Sequence, residues 1–224
     1  MKNILILLLV LCIHFAAKGQ QVLDKGYFIF TEEGFQQLKQ SNDTLYILRC
    51  SKNFSCDKKT RYHYKILSTK KIPNYTILKL ERLDSISLTL NPYPEDRFSV
   101  LTLKDINKQS LSYIQEAKRF TRSEIDTLQI QQKDLDGKFG FTYYSEDYLT
   151  ELGKRKQINT KKEIEEIIKL LNKPEYQAII QKYKTSGVID MYAIGLTYEL
   201  LHKAVIESGF NPIDAREKFN QLMR

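Results

Sequence analysis

Residues 62–80, YHYKILSTKKIPNYTILKL, contain two runs of β-forming side chains separated by a turn. The runs 62–67 and 75–80 are rich in aromatic and branched aliphatic residues, and Pro73-Asn74 between them is typical of a turn. Two short strands joined by a short connection pair in the antiparallel sense. This stretch therefore predicts an antiparallel sheet.

Similar runs on both sides of this stretch extend the predicted sheet. Residues 85–90 alternate strictly, with Ile86 and Leu88 on one face and serines on the other. After Thr31, the spacing of Phe35 and Leu38 predicts a short helix instead. The further predicted strands are 27–30, 44–49 and 98–103.

Helical spacing dominates the remainder of the chain. Residues 104–135 are predicted to be helical, with Ile106, Leu111 and Ile114 on one face and a capping box that begins at Thr121. Residues 139–144 are a short β-prone run. From the capping-box residue Thr160 onward, apolar residues recur at helical spacing as far as the C-terminus. The predicted fold class is α+β, an antiparallel β-rich N-terminal part (20–115) followed by a C-terminal helical bundle within a mainly helical part (116–224).

The first 19 residues have the three parts of a secretory signal peptide. Lys2 precedes an apolar run over 4–13, and Ala17-Lys18-Gly19 places small residues before a cut at Gln20. The run of about ten residues is half the length that spans a bilayer, and no later stretch is longer. A lipoprotein anchor on Cys12 is the alternative, but the bulky Leu11 before it does not fit a lipidation motif.

The predicted location is therefore the periplasm or cell surface. Three triplets, beginning at Asp43, Asp84 and Asp126, resemble the Asp-Ser/Thr-apolar motif that some Gram-negative bacteria glycosylate on exported proteins. They favour a Gram-negative source.

Two cysteines, Cys50 and Cys56, remain after the predicted cut. An even pair in an exported protein predicts a disulfide. Closing this short ring stabilises the fold by about 2.4 kcal/mol on the chain-entropy estimate.

The formal charge of the full chain is +8. This balance favours anionic partners, either an acidic protein surface or an anionic envelope polymer. Nucleic acid is not expected as a partner outside the cell, and no transmembrane segment is expected after signal cleavage.

A search for catalytic motifs finds no Gly-rich phosphate loop and no Gly-x-Ser-x-Gly elbow. The predicted mature chain has two histidines, His63 on a strand and His202 on a helix. Glu199 and His202 have the i, i+3 spacing of half a di-metal site, but the second half is missing. The ordinary interpretation of this pair is a partly exposed polar stripe on a core helix. No metal or cofactor is predicted.

Acidic and aromatic residues adjoin at 143–147. Glu146 and Asp147 beside Tyr143 and Tyr144 would suit a sugar-binding surface, whereas a helix capped by Ser145 is the ordinary interpretation.

The leading hypothesis is an exported, non-enzymatic protein of the bacterial envelope that binds another protein. One concrete form is an immunity-type protein that blocks a toxin. The alternatives are a hydrolase of envelope polymers and a surface-associated structural or adhesion component. The leading hypothesis rests on analogy with other exported binding proteins, which often carry no catalytic motif.

Overall fold

The structure is a computed structural model with eight strands and six α-helices in the part of the chain that it describes. That part comprises residues 21–31, 34–83, 97–115, 120–136, 138, 140–185 and 190–223. The predicted signal peptide and the predicted strand 85–90 lie outside it. The strands are β1 (Tyr27–Phe30), β2 (Phe35–Ser41), β3 (Thr44–Cys50), β4 (Cys56–Ile72), β5 (Tyr75–Arg82), β6 (Phe98–Lys104), β7 (Ser110–Gln115) and β8 (Phe141–Ser145).

The strands form one closed antiparallel barrel in which each strand pairs with the next along the chain. The barrel closes where β8 pairs with β1, with Tyr27 opposite Ser145 and Phe28 opposite Tyr144. The predicted antiparallel pairing within 62–80 is confirmed, since Ile72 lies opposite Tyr75 in the β4–β5 hairpin.

The predicted fold class, a β-rich part followed by a C-terminal helical bundle, is wrong. Strand β7 occupies part of the stretch 104–135 that was predicted to be helical, and β8 closes the barrel from within the part predicted to be mainly helical. The spacing of Leu111 and Ile114 suits a helix face, but in β7 the two side chains point to opposite faces. Leu111 fills the barrel, and Ile114 packs outside it.

The helix predicted after Thr31 is also wrong, because Phe35 and Leu38 lie on strand β2. Phe35 faces outward into an aromatic cluster, whereas Leu38 faces the barrel interior. The β1–β2 turn passes so close to β3 that a Cβ on Gly34 would lie 2.6 Å from the Cys50 carbonyl oxygen. The turn therefore needs glycine.

Leucines from most of the strands fill the barrel interior. The segment before β1 closes the end of the barrel at which β2 ends, and Leu23 is fully buried there. The backbone N–H groups of Val22 and Leu23 both donate to Oε1 of the buried Gln40. This segment acts as a plug in that end of the barrel.

The described part of the chain has six α-helices, and all of them lie outside the barrel. They are α1 (Arg122–Thr127), α2 (Glu146–Gly153), α3 (Lys161–Leu171), α4 (Pro174–Thr185), α5 (Asp190–Glu207) and α6 (Ala215–Leu222). Capping boxes at Thr121 and Thr160 begin α1 and α3, as the sequence predicts.

The C-terminal helices pack on the barrel as well as on each other. Leu149 and Leu152 of α2 join a cluster with Phe28 and Phe35 on the outer face of β1 and β2. Ile164 of α3 packs in a separate cluster with Val205 of α5. Helices α2 and α5 thus pack on the barrel, whereas α3, α4 and α6 pack on α5, which explains why their apolar spacing resembles that of a bundle.

Candidate functional site

A cavity of about 400 Å³ lies between the C-terminal helices and the end of the barrel that carries the β3–β4 loop. We call this end of the barrel the loop end. The barrel contributes Thr31, Gly34 and Lys52, and helix α5 contributes His202. The remaining wall comes from α6 and the residues before it, namely Ile213, Asp214, Arg216, Glu217, Asn220 and Gln221.

The predicted disulfide between Cys50 and Cys56 is confirmed, and it holds the loop that carries Lys52. The two cysteines face each other across the β3–β4 hairpin, with their Cα atoms 3.9 Å apart. Within the loop, the Phe54 ring stacks on Phe35, with the ring centres 4.8 Å apart. The covalent link and the stacked ring together restrict where Lys52 can lie.

Lys52 joins the barrel to helix α6 through two ion pairs. Its Nζ lies 2.6 Å from Oδ1 of Asp214 and 3.0 Å from Oε2 of Glu217. These hydrogen bonds raise the pKa of the Lys52 ammonium, and the bond to Asp214 has the larger effect. The two carboxylates among the described residues of the cavity wall are thereby engaged.

His202 is buried at the base of the cavity and is only 6% exposed. Its ring stacks on Phe30 with the centres 4.1 Å apart, and Nδ1 lies 2.7 Å from the carbonyl oxygen of Tyr198. Burial lowers the pKa of His202 to about 4, so the ring is neutral at pH 7. Because a carbonyl oxygen only accepts, Nδ1 carries the proton and Nε2 has a free lone pair.

Glu199, one turn before His202, is buried and holds helix α5 to the closing seam of the barrel. Its Oε1 accepts the backbone N–H of Thr142 at 2.9 Å and lies 3.3 Å from Nζ of Lys203. Strand β1 ends at Phe30 and pairs with β8 only at Tyr144 and Ser145, so Glu199 takes the place of a strand partner for Thr142. Burial raises the pKa of this carboxyl group. The predicted partly exposed stripe is therefore wrong for both residues.

Tyr143 and Tyr144 are also buried, and so they do not form the sugar-binding surface considered from the sequence. The Tyr143 hydroxyl accepts a hydrogen bond from Gln36 inside the barrel, whereas the Tyr144 ring packs outside against Phe30. Burial raises the pKa of both phenols.

Glu146 and Asp147 are exposed in the first turn of α2, where Ser145 caps the helix. Carboxylates stabilise a helix at this position. This is the ordinary interpretation made from the sequence.

His63 lies elsewhere, on β4, with its ring 6.0 Å from that of Tyr46. Its Nδ1 is buried and has no hydrogen-bond partner in the described part of the chain. The structure thus brings His202 and Tyr144 together around Phe30, places Glu199 one helical turn from His202, and leaves His63, Glu146 and Asp147 apart. Lys52, Asp214, Arg216 and Glu217 were missed, although the Cys50–Cys56 spacing marks the loop of Lys52 as a fixed one.

A second exposed feature, the Tyr62 patch, consists of Tyr62, Arg82 and Leu83 at the loop end. The Arg82 guanidinium lies 4.8 Å from the centre of the Tyr62 ring. Tyr62 is 48% exposed and Leu83 is 42% exposed. Arg49 is exposed two residues beyond Ile47, the residue that pairs with Tyr62, and it lies opposite Asp57 in the β3–β4 register.

No family model, curated protein or solved structure matches this chain. No helix in the described ranges has the length and apolar character needed to cross a membrane. Among the same residues, no three His, Cys, Asp or Glu side chains are grouped as metal ligands.

Proposed function

We propose that this chain is an exported, non-enzymatic protein of the bacterial envelope that acts by binding another protein. The observation that carries the proposal is the Tyr62 patch, in which Tyr62 and Arg82 are stacked beside the exposed Leu83. Tyrosine and arginine are enriched at the centres of protein interfaces, where a few such residues supply most of the binding energy.

The charge of the chain indicates which kind of protein surface fits the patch. The net charge of the full chain is +8, and removal of Lys2 and Lys18 with the predicted signal peptide leaves +6. An acidic partner surface complements this potential and is attracted to it before contact. An immunity-type protein that blocks a toxin through an acidic face is one concrete form of this function.

The geometry of the cavity supports binding over hydrolysis. A hydrolase would use His202 as a general base, but burial holds its pKa at about 4, which makes it a weak base at pH 7. Asp214 and Glu217 are both bound to Lys52. These acids already serve to join α6 to the barrel.

Export is supported by the leader-like residues 1–19 and by the disulfide, because structural disulfides persist in oxidising compartments. N-terminal sequencing of the protein from its host should find Gln20 first. A chain that begins at Met1 in the cytosol would contradict export. Retention on membranes after a high-salt wash would favour the structural or adhesion alternative.

The binding proposal is tested by capture from envelope extract of the host, with the wild-type protein and the Tyr62→Ala and Arg82→Ala variants. We expect a stoichiometric protein partner with an acidic surface, held at least about tenfold more weakly by each variant. Ile106→Ala is the matched control, since Ile106 is an exposed apolar residue that follows β6 at the opposite end of the barrel. Failure of the wild-type protein to retain a stoichiometric partner, or equal retention by all variants, would contradict the proposal.

A further inference from the structure

The cavity at the loop end is lined by a mostly buried residue, His202, with an acceptor atom that the described part of the fold does not use. Nδ1 of His202 donates to Tyr198 on its own helix, and Phe30 covers one face of the ring. The residue lines the cavity, so the opposite edge of the ring, with Nε2, faces that space. Nε2 has no hydrogen-bond partner in the described part of the chain, and it is not among the fully buried polar atoms, so it is accessible as an acceptor. A ligand that donates an O–H or N–H group would satisfy it.

The charges of the cavity wall point to a neutral ligand. Among the described residues of the wall, two are cations, Lys52 and Arg216, and two are carboxylates, Asp214 and Glu217, so their charges cancel. Lys52 is already bound to both acids, and the Arg216 guanidinium lies 3.9 Å from the centre of the Tyr198 ring. An anion would require a surplus of positive charge, and a metal ion would require carboxylates that are not already paired.

The uncharged part of the wall suits hydroxyl groups. Thr31, Asn220 and Gln221 each offer both a donor and an acceptor. A sugar hydroxyl also donates and accepts, so neighbouring hydroxyls can bond to the amides while one donates to His202. The volume, about 400 Å³, lies in the lower part of the range for small-ligand sites.

We infer that this cavity binds a neutral sugar unit, one hydroxyl of which donates to Nε2 of His202. The walls are set before binding by the Cys50–Cys56 disulfide and by the Lys52 ion pairs. Little conformational freedom is lost when the ligand enters, which favours affinity. The sugar is either free or the terminal unit of an envelope polysaccharide. This site is separate from the Tyr62 patch, so neither proposal depends on the other.

The test is calorimetric titration of the purified protein with neutral hexoses, pentoses, N-acetylhexosamines and their disaccharides. We expect at least one to bind in the millimolar range or tighter, and His202→Phe to weaken it at least tenfold because the acceptor is lost while an aromatic ring remains against Phe30. His63→Phe is the matched control, the same substitution outside the cavity, and should bind like the wild type.

Asn220→Ala provides a second variant in case His202→Phe does not fold, because Asn220 is exposed at the cavity wall. It too should weaken binding. Equal binding of mono- and disaccharides would identify a free sugar, and tighter binding of disaccharides would identify a polymer end. The inference would be overturned if no neutral sugar bound, if sulfate, phosphate or a uronate bound more tightly, or if a folded His202 or Asn220 variant bound like the wild type.

Discussion

His202 couples the stability of the protein to pH, because burial opposes the protonation of its ring. Its pKa in the folded state is about 4, below the ordinary value of 6.5. Between these two values the unfolded chain binds a proton that the folded chain does not. The free energy of unfolding therefore contains a part that is fully present above pH 6.5 and is lost as the pH falls toward 4.

We expect the wild-type protein to lose about 2 to 3 kcal/mol more stability than His202→Gln when the pH is lowered from 7 to 4.5. Glutamine does not titrate, so this pH-dependent part is absent from the variant. Urea unfolding at the two pH values measures the difference. Glu199, whose pKa burial raises, has the opposite trend, but it is present in both proteins. Parallel pH profiles would show that the His202 ring is not held neutral.

At the scale of single residues, the sequence identifies Glu199 and His202 as a candidate pair but does not predict their burial or their contacts. The i, i+3 spacing is visible in the chain, whereas burial depends on Phe30 and Thr142, which come from distant parts of the sequence. The same limit applies to Lys52, whose partners are Glu217 on helix α6 and Asp214 immediately before it. Contacts of this kind follow from the tertiary fold and have no local pattern.

Among the elements, helix α5 and strand β8 are joined by the carboxyl group of Glu199. Glu199→Ala removes the acceptor of the Thr142 N–H and the partner of Lys203. We expect the free energy of unfolding to fall by about 1 to 3 kcal/mol, as measured by urea denaturation. Glu165→Ala on the exposed side of α3 is the matched control and should change stability by less than about 0.5 kcal/mol. Equal effects of the two variants would mean that the contacts of Glu199 with Thr142 and Lys203 add no stability.

The disulfide of the β3–β4 hairpin also contributes to the free energy of unfolding. Replacing Cys50 and Cys56 by serine should lower the free energy of unfolding by about 2.4 kcal/mol, because the unfolded chain is no longer restrained. A reductant should destabilise the wild-type protein similarly and leave the double variant unchanged. A reductant effect on the double variant would point to another cause.

Elements with local signals were predicted and those without them were not. The capping boxes at Thr121 and Thr160 and the hairpin turn at Pro73-Asn74 are complete within a few residues, and each was found. Strands β2 and β7 were misinterpreted because short apolar spacings fit a helix as well as a strand, and only the neighbouring strands decide between the two.

For the whole molecule, the barrel needs the segment before β1 to close the end opposite the loop end. Leu23 is fully buried there, and Leu23→Ala should lower the free energy of unfolding by about 2 to 5 kcal/mol through the cavity left behind. Leu83→Ala, the same change at a 42% exposed site, should cost less than about 0.5 kcal/mol. Thermal or urea unfolding compares them. Similar losses would mean that the segment does not act as a plug.

The pairing of the first and last strands, which closes the barrel, could not be predicted from the sequence. This pairing places Tyr27 opposite Ser145, and no short sequence pattern indicates a contact between residues so far apart in the chain. The helical spacing after Thr160 was correct, but it could not show that α5 packs on a barrel.

The join between β1 and β8 spans only two residue pairs, against seven between β2 and β3. A complete ring of strands offers no unpaired backbone to a neighbouring molecule, but a break at this join would expose two unpaired edges at once. Exchange of strands between copies, or growth of fibrils from destabilised protein, should therefore begin with β1 and β8. Their backbone amides would be the first in the barrel to exchange with deuterated water.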